Sequence, residues 1–173
     1  GENISISDIK FINNDTFWVV SSQGNIFKYS ISLNKISELK LPPNFINQKL
    51  YLAIDDNKNL WIAAEYKGLY KYIPESEKFI QYHKDGNTDK HNMFISIFYD
   101  DNGFVWAGTD GDGIFRINTL TNKVTVFKNN NDNKFSISNN TITHINKDIN
   151  GNLYIVGKKG VINVLVKKNK DIK

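Results

Sequence analysis

The residues best suited to chemistry are Asp110 and Asp112 in the loop Thr109–Gly113, with Asp100 and Asp101 a few positions upstream. Carboxylates alternating with glycine suit a divalent cation. A calcium loop of the EF-hand type, with Gly113 as its central Gly, needs an acid where Gly108 stands and a Glu where Thr119 stands, so the spacing fails. The two acid pairs also flank a strand of about five residues, which spans roughly 17 Å and keeps them from sharing an ion. The expected role is Asp/Gly turn chemistry, with no metal and no cofactor. His83, His91 and His144 stand in different parts of the chain, and a general base or metal site would need them to converge. The chain has no Cys, so disulfides, thiolate metal sites and a Cys nucleophile are excluded. No Ser/His/Asp set or phosphate-cradling Gly loop is present, so no catalytic residue is assigned and the chain is expected not to be an enzyme.

The elements that hold these residues repeat. Taking Trp106 as anchor, the equivalents are Trp18, Trp61 and Tyr154, spaced 43, 45 and 48 residues apart. A period in the mid-forties is that of a four-stranded propeller blade. An aliphatic residue stands nine before each anchor (Ile9, Leu52, Ile97, Ile145), in a first strand, A. Asn stands four before each anchor (Asn14, Asn57, Asn102, Asn150), followed by Asp15, Lys58, Gly103 and Gly151, which predicts a two-residue type I′ hairpin turn. Strand B carries the anchor. Strand C begins seven or eight residues later at Ile26, Leu69, Ile114 and Val161, with Gly24, Gly68, Gly113 or Gly160 just before it. Strand D follows as Lys35 to Leu41, Lys78 to Tyr82 and Lys123 to Lys128, whereas the polar Val166 to Lys173 leaves the fourth repeat without an outer strand.

Consecutive apolar residues in strand B, as in Leu60-Trp61-Ile62-Ala63-Ala64, fit sheets covered on both faces rather than the one-sided sheets of a sandwich. The anchor tryptophans are therefore expected to pack between blades rather than to stack on sugars. The fold class is all-β: a propeller segment of residues 1–173, with repeats near 4–41, 49–83, 92–128 and 140–166. At 173 residues it is short for a ring of six to eight blades and is expected to be part of a larger one. The start at Gly1-Glu2, without Met, reads as a processing site or an artificial boundary. No apolar run approaches the 18 or so residues of a membrane-spanning helix. The net charge of +4, carried by Lys with a single Arg, Arg116, reads as a solvated surface and does not favour nucleic acid.

Asp55 to Tyr72, with Asn59-Leu60-Trp61-Ile62 and Gly68-Leu69-Tyr70-Lys71-Tyr72, resembles the two-component regulator propeller repeat. Asp100 to Arg116, with Trp106-Ala107-Gly108-Thr109, resembles it more closely, and Asp148 to Gly157 matches with Tyr154 in place of Trp. The first repeat departs most, with Ile12 where the turn acid belongs. The resemblance implies a periplasmic sensor region of a Bacteroidetes hybrid two-component regulator, whose histidine kinase and membrane helix lie in other parts of the protein. It also implies signal transduction by ligand recognition, with oligosaccharides the expected class.

In a propeller the B-to-C turns and D-to-A connections share one end, and unequal loops on a rigid scaffold are where function gathers. The ligand-binding residues expected there are Glu65, Tyr66, His83, His91, Asp110, Asp112 and Lys158. The connections His83 to Asn92 and Lys128 to Asn139 are long and polar. An open ring also leaves two apolar blade faces, which predicts self-association as a homodimer. The alternative to a ligand sensor is a platform for protein interaction or dimerisation; an enzyme of the lyase or glycosidase kind lacks convergent acids or histidines.

Overall fold

The computed structural model describes residues 5–45, 48–82 and 93–166. Four antiparallel sheets follow one another along the chain, each built from consecutive strands. The first blade is β1 (Ile6–Phe11), β2 (Thr16–Ser21), β3 (Ile26–Ser30) and β4 (Lys35–Glu38). The second is β5 (Leu50–Ile54), β6 (Leu60–Ala64), β7 (Gly68–Ile73) and β8 (Lys78–Gln81). The third is β9 (Phe94–Tyr99), β10 (Phe104–Thr109), β11 (Ile114–Asn118) and β12 (Val124–Phe127). The fourth has three strands among the described residues: β13 (Ile142–Lys147), β14 (Leu153–Gly157) and β15 (Ile162–Leu165). This is the propeller segment that the period predicts.

The register repeats as well as the order. In every blade the aliphatic residue nine before the anchor pairs with the residue just after it: Ile9 with Val19, Leu52 with Ile62, Ile97 with Ala107 and Ile145 with Ile155. Strand C of the fourth blade begins at Ile162, one residue later than Val161, and its register is that of the other blades, with Val164 opposite Tyr154 as Arg116 is opposite Trp106.

The A-to-B turns are not type I′. In the second and fourth blades, the Lys58 and Gly151 N–H groups donate to the carbonyls of Asp55 and Asp148 at 2.9 and 3.0 Å. Lys58 (φ 62°) and Gly151 (φ 84°) alone have positive φ in these two turns. That is a three-residue hairpin, a type I turn closed by a left-handed residue. The opening acid favours this longer turn, because its carboxylate accepts the N–H four residues on, from Asn59 at 3.0 Å and Asn152 at 2.8 Å.

Blades pack through their innermost strands: β5 on β1, β9 on β5 and β6, and β13 on β9 and β10. Three apolar clusters fill the junctions. Trp18, Val20 and Ile26 meet Leu52, Leu60, Ile62 and Tyr72; Trp61, Ala63 and Leu69 meet Phe94, Val105 and Phe115; Trp106 and Ile114 meet Ile142, Leu153 and Ile155. Each anchor Trp is thus buried against the following blade and offers no platform for a sugar. None of these clusters joins the fourth blade to the first. On the first blade's outer face Phe11, Phe17 and Tyr29 pack in succession with tilted rings, each pair 5.2 Å apart, with Phe11 64% and Ile36 62% exposed. Tyr154, Val156, Ile162 and Val164 share the outer face of the fourth blade by register, with Ile162 58% exposed.

Candidate functional site

The hairpin connectivity sets the B-to-C turns and D-to-A connections at one end of the blades. In the second blade the turn after β6 is fixed from its backbone, with Glu65 N donating to Lys49 O at 3.0 Å and Tyr66 N to Gln48 Oε1 at 3.2 Å. The Tyr66 side chain is left 59% exposed. Beside it the Lys49 ammonium lies 5.2 Å from the Tyr51 ring. The bond with the Tyr51 hydroxyl raises the Lys49 pKa above its ordinary value, and the Glu65 charge adds to this.

The third blade uses its two turn acids internally. Asp110 accepts from Thr141 Oγ1 at 3.0 Å and forms a bridge with Thr141, tying the turn to the next blade. Asp112 pairs with Lys128 at 3.2 Å, while its N–H donates to Thr109 Oγ1 at 2.9 Å. Thr109 Oγ1 in turn donates to Gly113 O at 2.8 Å. Lys158 N donates to Thr141 O at 2.9 Å, so Thr141 draws Asp110 and Lys158 to its two sides, with the Lys158 side chain exposed. Glu65 and Tyr66 sit on a separate turn. His83 and His91 lie outside the described residues, and His144 lies exposed on the outer face of β13. Among the described residues no group of three or more His, Asp or Glu is placed to hold a metal.

Asp100 and Asp101 occupy the opposite end, where the acid at the turn start has a structural task. Asp55 accepts from Asn59 N, Asn59 Nδ2 and Trp61 Nε1, the last at 2.9 Å. Asp100 accepts from Asn102 N, Phe104 N and Trp106 Nε1. Asp148 accepts from Asn152 and from the Tyr154 hydroxyl. Burial acts to raise the Asp148 pKa, but the bonds from Asn152, Tyr154 and Asn150 outweigh it and hold the carboxyl below its ordinary range. The repeated Asp therefore serves to hold the anchor side chain and the turn together.

Sequence reasoning passed over a cleft of about 890 Å³ between β11–β12 and β15, roofed by the connection after β12. The Asn run there is folded on its own amides: Asn129 N donates to Asn140 Oδ1 at 2.6 Å, and Asn129 Nδ2 to Ile137 O at 2.8 Å. Arg116 lines this cleft. The signal that could have found it is its place ten residues after the anchor, where Lys28 and Lys71 stand in the first two blades.

Residues 89–111 match the two component regulator propeller family. The extracellular domain of the hybrid two component system BT4673 from B. thetaiotaomicron is similar over 92% of this chain, at 25% identity and a TM-score of 0.72. The corresponding domain of BT3049 from the same organism is similar over 91%, at 20% identity and a TM-score of 0.67. The chain spans only 21% and 19% of those two chains. A computationally designed protein, Ika4, shares the fold at 14% identity and a TM-score of 0.66, with 95% of this chain and 92% of that one covered. No curated protein matches. Residues 89–111 thus match the two-component regulator propeller repeat, within four consecutive blades similar to those of the extracellular domains of B. thetaiotaomicron hybrid two-component systems.

Proposed function

We propose that this chain is a stretch of the extracytoplasmic sensor region of a hybrid two-component regulator, non-catalytic in itself, and that it recognises a periplasmic oligosaccharide. The carrying observation is the likeness to the BT4673 extracellular domain over 92% of the chain. The turn and connection end supports a ligand role because it sets an exposed ring, Tyr66, beside the Gln48 carboxamide and near the Lys49 ammonium on the same blade. A ring face with polar groups set around it suits a sugar, which has an apolar face and a rim of hydroxyls. The test is calorimetric titration with a panel of glycan oligosaccharides, using this chain and a version extended by neighbouring repeats. Binding by the chain, weakened by Tyr66→Ala, supports the reading. Absence of binding by both forms overturns it.

The open apolar faces favour a second reading, in which self-association carries the signal. The first blade's Phe11, Phe17 and Tyr29 would meet the fourth blade's Tyr154, Val156 and Ile162 in a second copy, repeating the junction that already joins consecutive blades. Sedimentation showing dimers that Phe17→Asp disperses supports it; a strict monomer at high concentration rejects it.

A further inference from the structure

The chain's single Arg stands opposite an anchor Trp, in the Trp106–Arg116 pair of the β10–β11 ladder. The same rung holds Trp18–Lys28 and Trp61–Lys71, with the ammonium 5.8 and 5.3 Å from the indole ring. A cation packed on Trp is thus part of the blade. Lys71 also has a carboxylate nearby, Asp55 at 3.8 Å. Arg116 is held differently. Its guanidinium carbon lies 4.9, 5.6 and 5.2 Å from the rings of Phe104, Trp106 and Phe127, and among the described residues no carboxylate pairs with it. Three aromatic rings surround the half-buried guanidinium, and ring contacts do not consume its in-plane N–H donors. A charged, pre-oriented fork of this kind fits the two oxygens of a carboxylate.

The cleft it faces has the matching electrostatics. Arg116, Lys128 and Lys134 line it with four asparagines and no acid. Lys128 is engaged by Asp112, which leaves Arg116 and Lys134 as the cationic groups to answer an anion. A second observation is independent of the guanidinium. Asn163 Oδ1 accepts from Ser138 N at 2.9 Å and Ser138 Oγ at 2.8 Å, which orients the carboxamide and leaves Nδ2 buried without a partner. A buried donor left unpaired is disfavoured, and a ligand acceptor would remove the penalty. At the rim, Phe135 is 86% exposed, with Lys134 5.1 Å from its ring.

We propose that this cleft between the third and fourth blades binds a carboxylate-bearing saccharide, with Arg116 gripping the carboxylate, Asn163 Nδ2 donating to it and Phe135 facing the sugar ring. The saccharide part rests on the sensor reading above; the anion part rests on the cleft alone. The test is titration of the chain with trigalacturonate, with the same trisaccharide after reduction of its carboxyl groups, and with succinate as a bare dicarboxylate. Trigalacturonate is expected to bind at least tenfold tighter than the reduced sugar, and less tightly as salt is raised. Arg116→Lys keeps the cation on the Trp, as in the first two blades, but lacks the fork and should weaken binding about tenfold. Lys134→Ala, on an exposed loop, should weaken it a few-fold. Equal binding of the acidic and reduced sugars, or acid binding untouched by both substitutions, overturns the proposal while leaving the sensor reading intact. Arg116-dependent binding of succinate with no binding of either sugar overturns the saccharide assignment and keeps the anion cleft, while the sensor's sugar reading stands or falls on the glycan panel. No response to any probe overturns the site.

Discussion

The first and second blades share strand order and register but differ in how they satisfy their anchor. In the second, the Asp55 carboxylate is buried and takes the Asn59 amides and the Trp61 indole N–H, with Lys71 3.8 Å away. In the first, Ile12 stands in that place, and the indole N–H of Trp18 is buried with no partner. The first blade caps its turn with Asn13, whose Oδ1 accepts from Asp15 N and Thr16 N, and ties the turn to the C-to-D connection through an acid. Asp15 accepts from Ser32 N at 2.7 Å and Ser30 Oγ at 2.8 Å, and the Ser32 N–H, then Ser30, holds its carboxyl below the ordinary range. The same sheet thus forms with or without the acid clamp, so the clamp is a matter of stability and not of topology. Covering differs too. Strand β6 is buried along its whole length, between two blades, whereas β2 and β14 alternate because one of their faces has no neighbour.

If the clamp stabilises the second blade as its bonding implies, Asp55→Ala has the largest effect. It leaves a buried Trp61 N–H, two Asn59 donors and the Lys71 ammonium without their acceptor, and should lower stability by about 3–5 kcal/mol. Urea unfolding followed by Trp fluorescence measures this. A loss below about 1 kcal/mol would show that the clamp is dispensable even where it is complete. Gly108→Ala should come next. A Cβ at Gly108 would stand 2.6 Å from the backbone oxygen of Ile142 and 2.3 Å from Ser96 Oγ, so the third and fourth blades would have to separate, at about 1–3 kcal/mol. The fourth blade should unfold first, reported by hydrogen exchange in β13 and β14; uniform weakening of all four blades would refute a local clash.

Much of this was legible from residue spacing. The anchors at Trp18, Trp61, Trp106 and Tyr154 fix the blade count, and the aliphatic residue nine before each fixes the register. The missing acid at Ile12 is also visible, but its consequence is not, since only the fold packs Ile12 against the cluster that holds Trp18 and leaves the indole N–H buried without a partner. The turn type is not legible, because Asn and Gly at Asn102-Gly103 suit a two-residue turn locally, while the carboxylate that lengthens such turns acts from further upstream. Asp110 and Asp112 are legible as turn residues, yet their partners, Thr141 and Lys128, come from connections whose path no periodicity encodes. Arg116 reads as solvated surface charge from composition alone; its three rings converge from β10 and β12 only in the folded sheet.

A gain-of-stability test sharpens the contrast from the other side. Ile12→Asp places a carboxylate where Asp55 stands in the next blade, with the Trp18 N–H waiting for it. A hydrogen bond to a charged acceptor contributes about 1.5–3 kcal/mol, and the partly buried Ile12 packing lost in exchange leaves a net gain of about 1 kcal/mol. A raised urea midpoint accompanied by a shift in Trp18 fluorescence supports the transfer of the clamp. A lowered midpoint would mean that the first blade has adapted its core to Ile12.

The smallest effect is expected where the clamp end of the second blade touches the third. The Tyr99 hydroxyl donates to Asp56 Oδ2 at 2.7 Å, across the junction from β9 to the turn beside Asp55. Burial, and then this bond, push the Tyr99 pKa up to about 12 from an ordinary value of 10.0. A pKa raised by folding means that the protonated phenol favours the folded state. Its contribution is therefore complete below pH 10 and is lost as the pH climbs toward about 12. Tyr99→Phe should reduce stability at neutral pH by about 0.5–1 kcal/mol and flatten the alkaline decline. Some slope should remain, because burial also raises the pKa of Tyr72 and Tyr82. If the variant and the parent lose stability in parallel between pH 10 and 12, the bond to Asp56 does not couple the two blades, and the apolar cluster around Trp61 and Phe94 holds that junction without it.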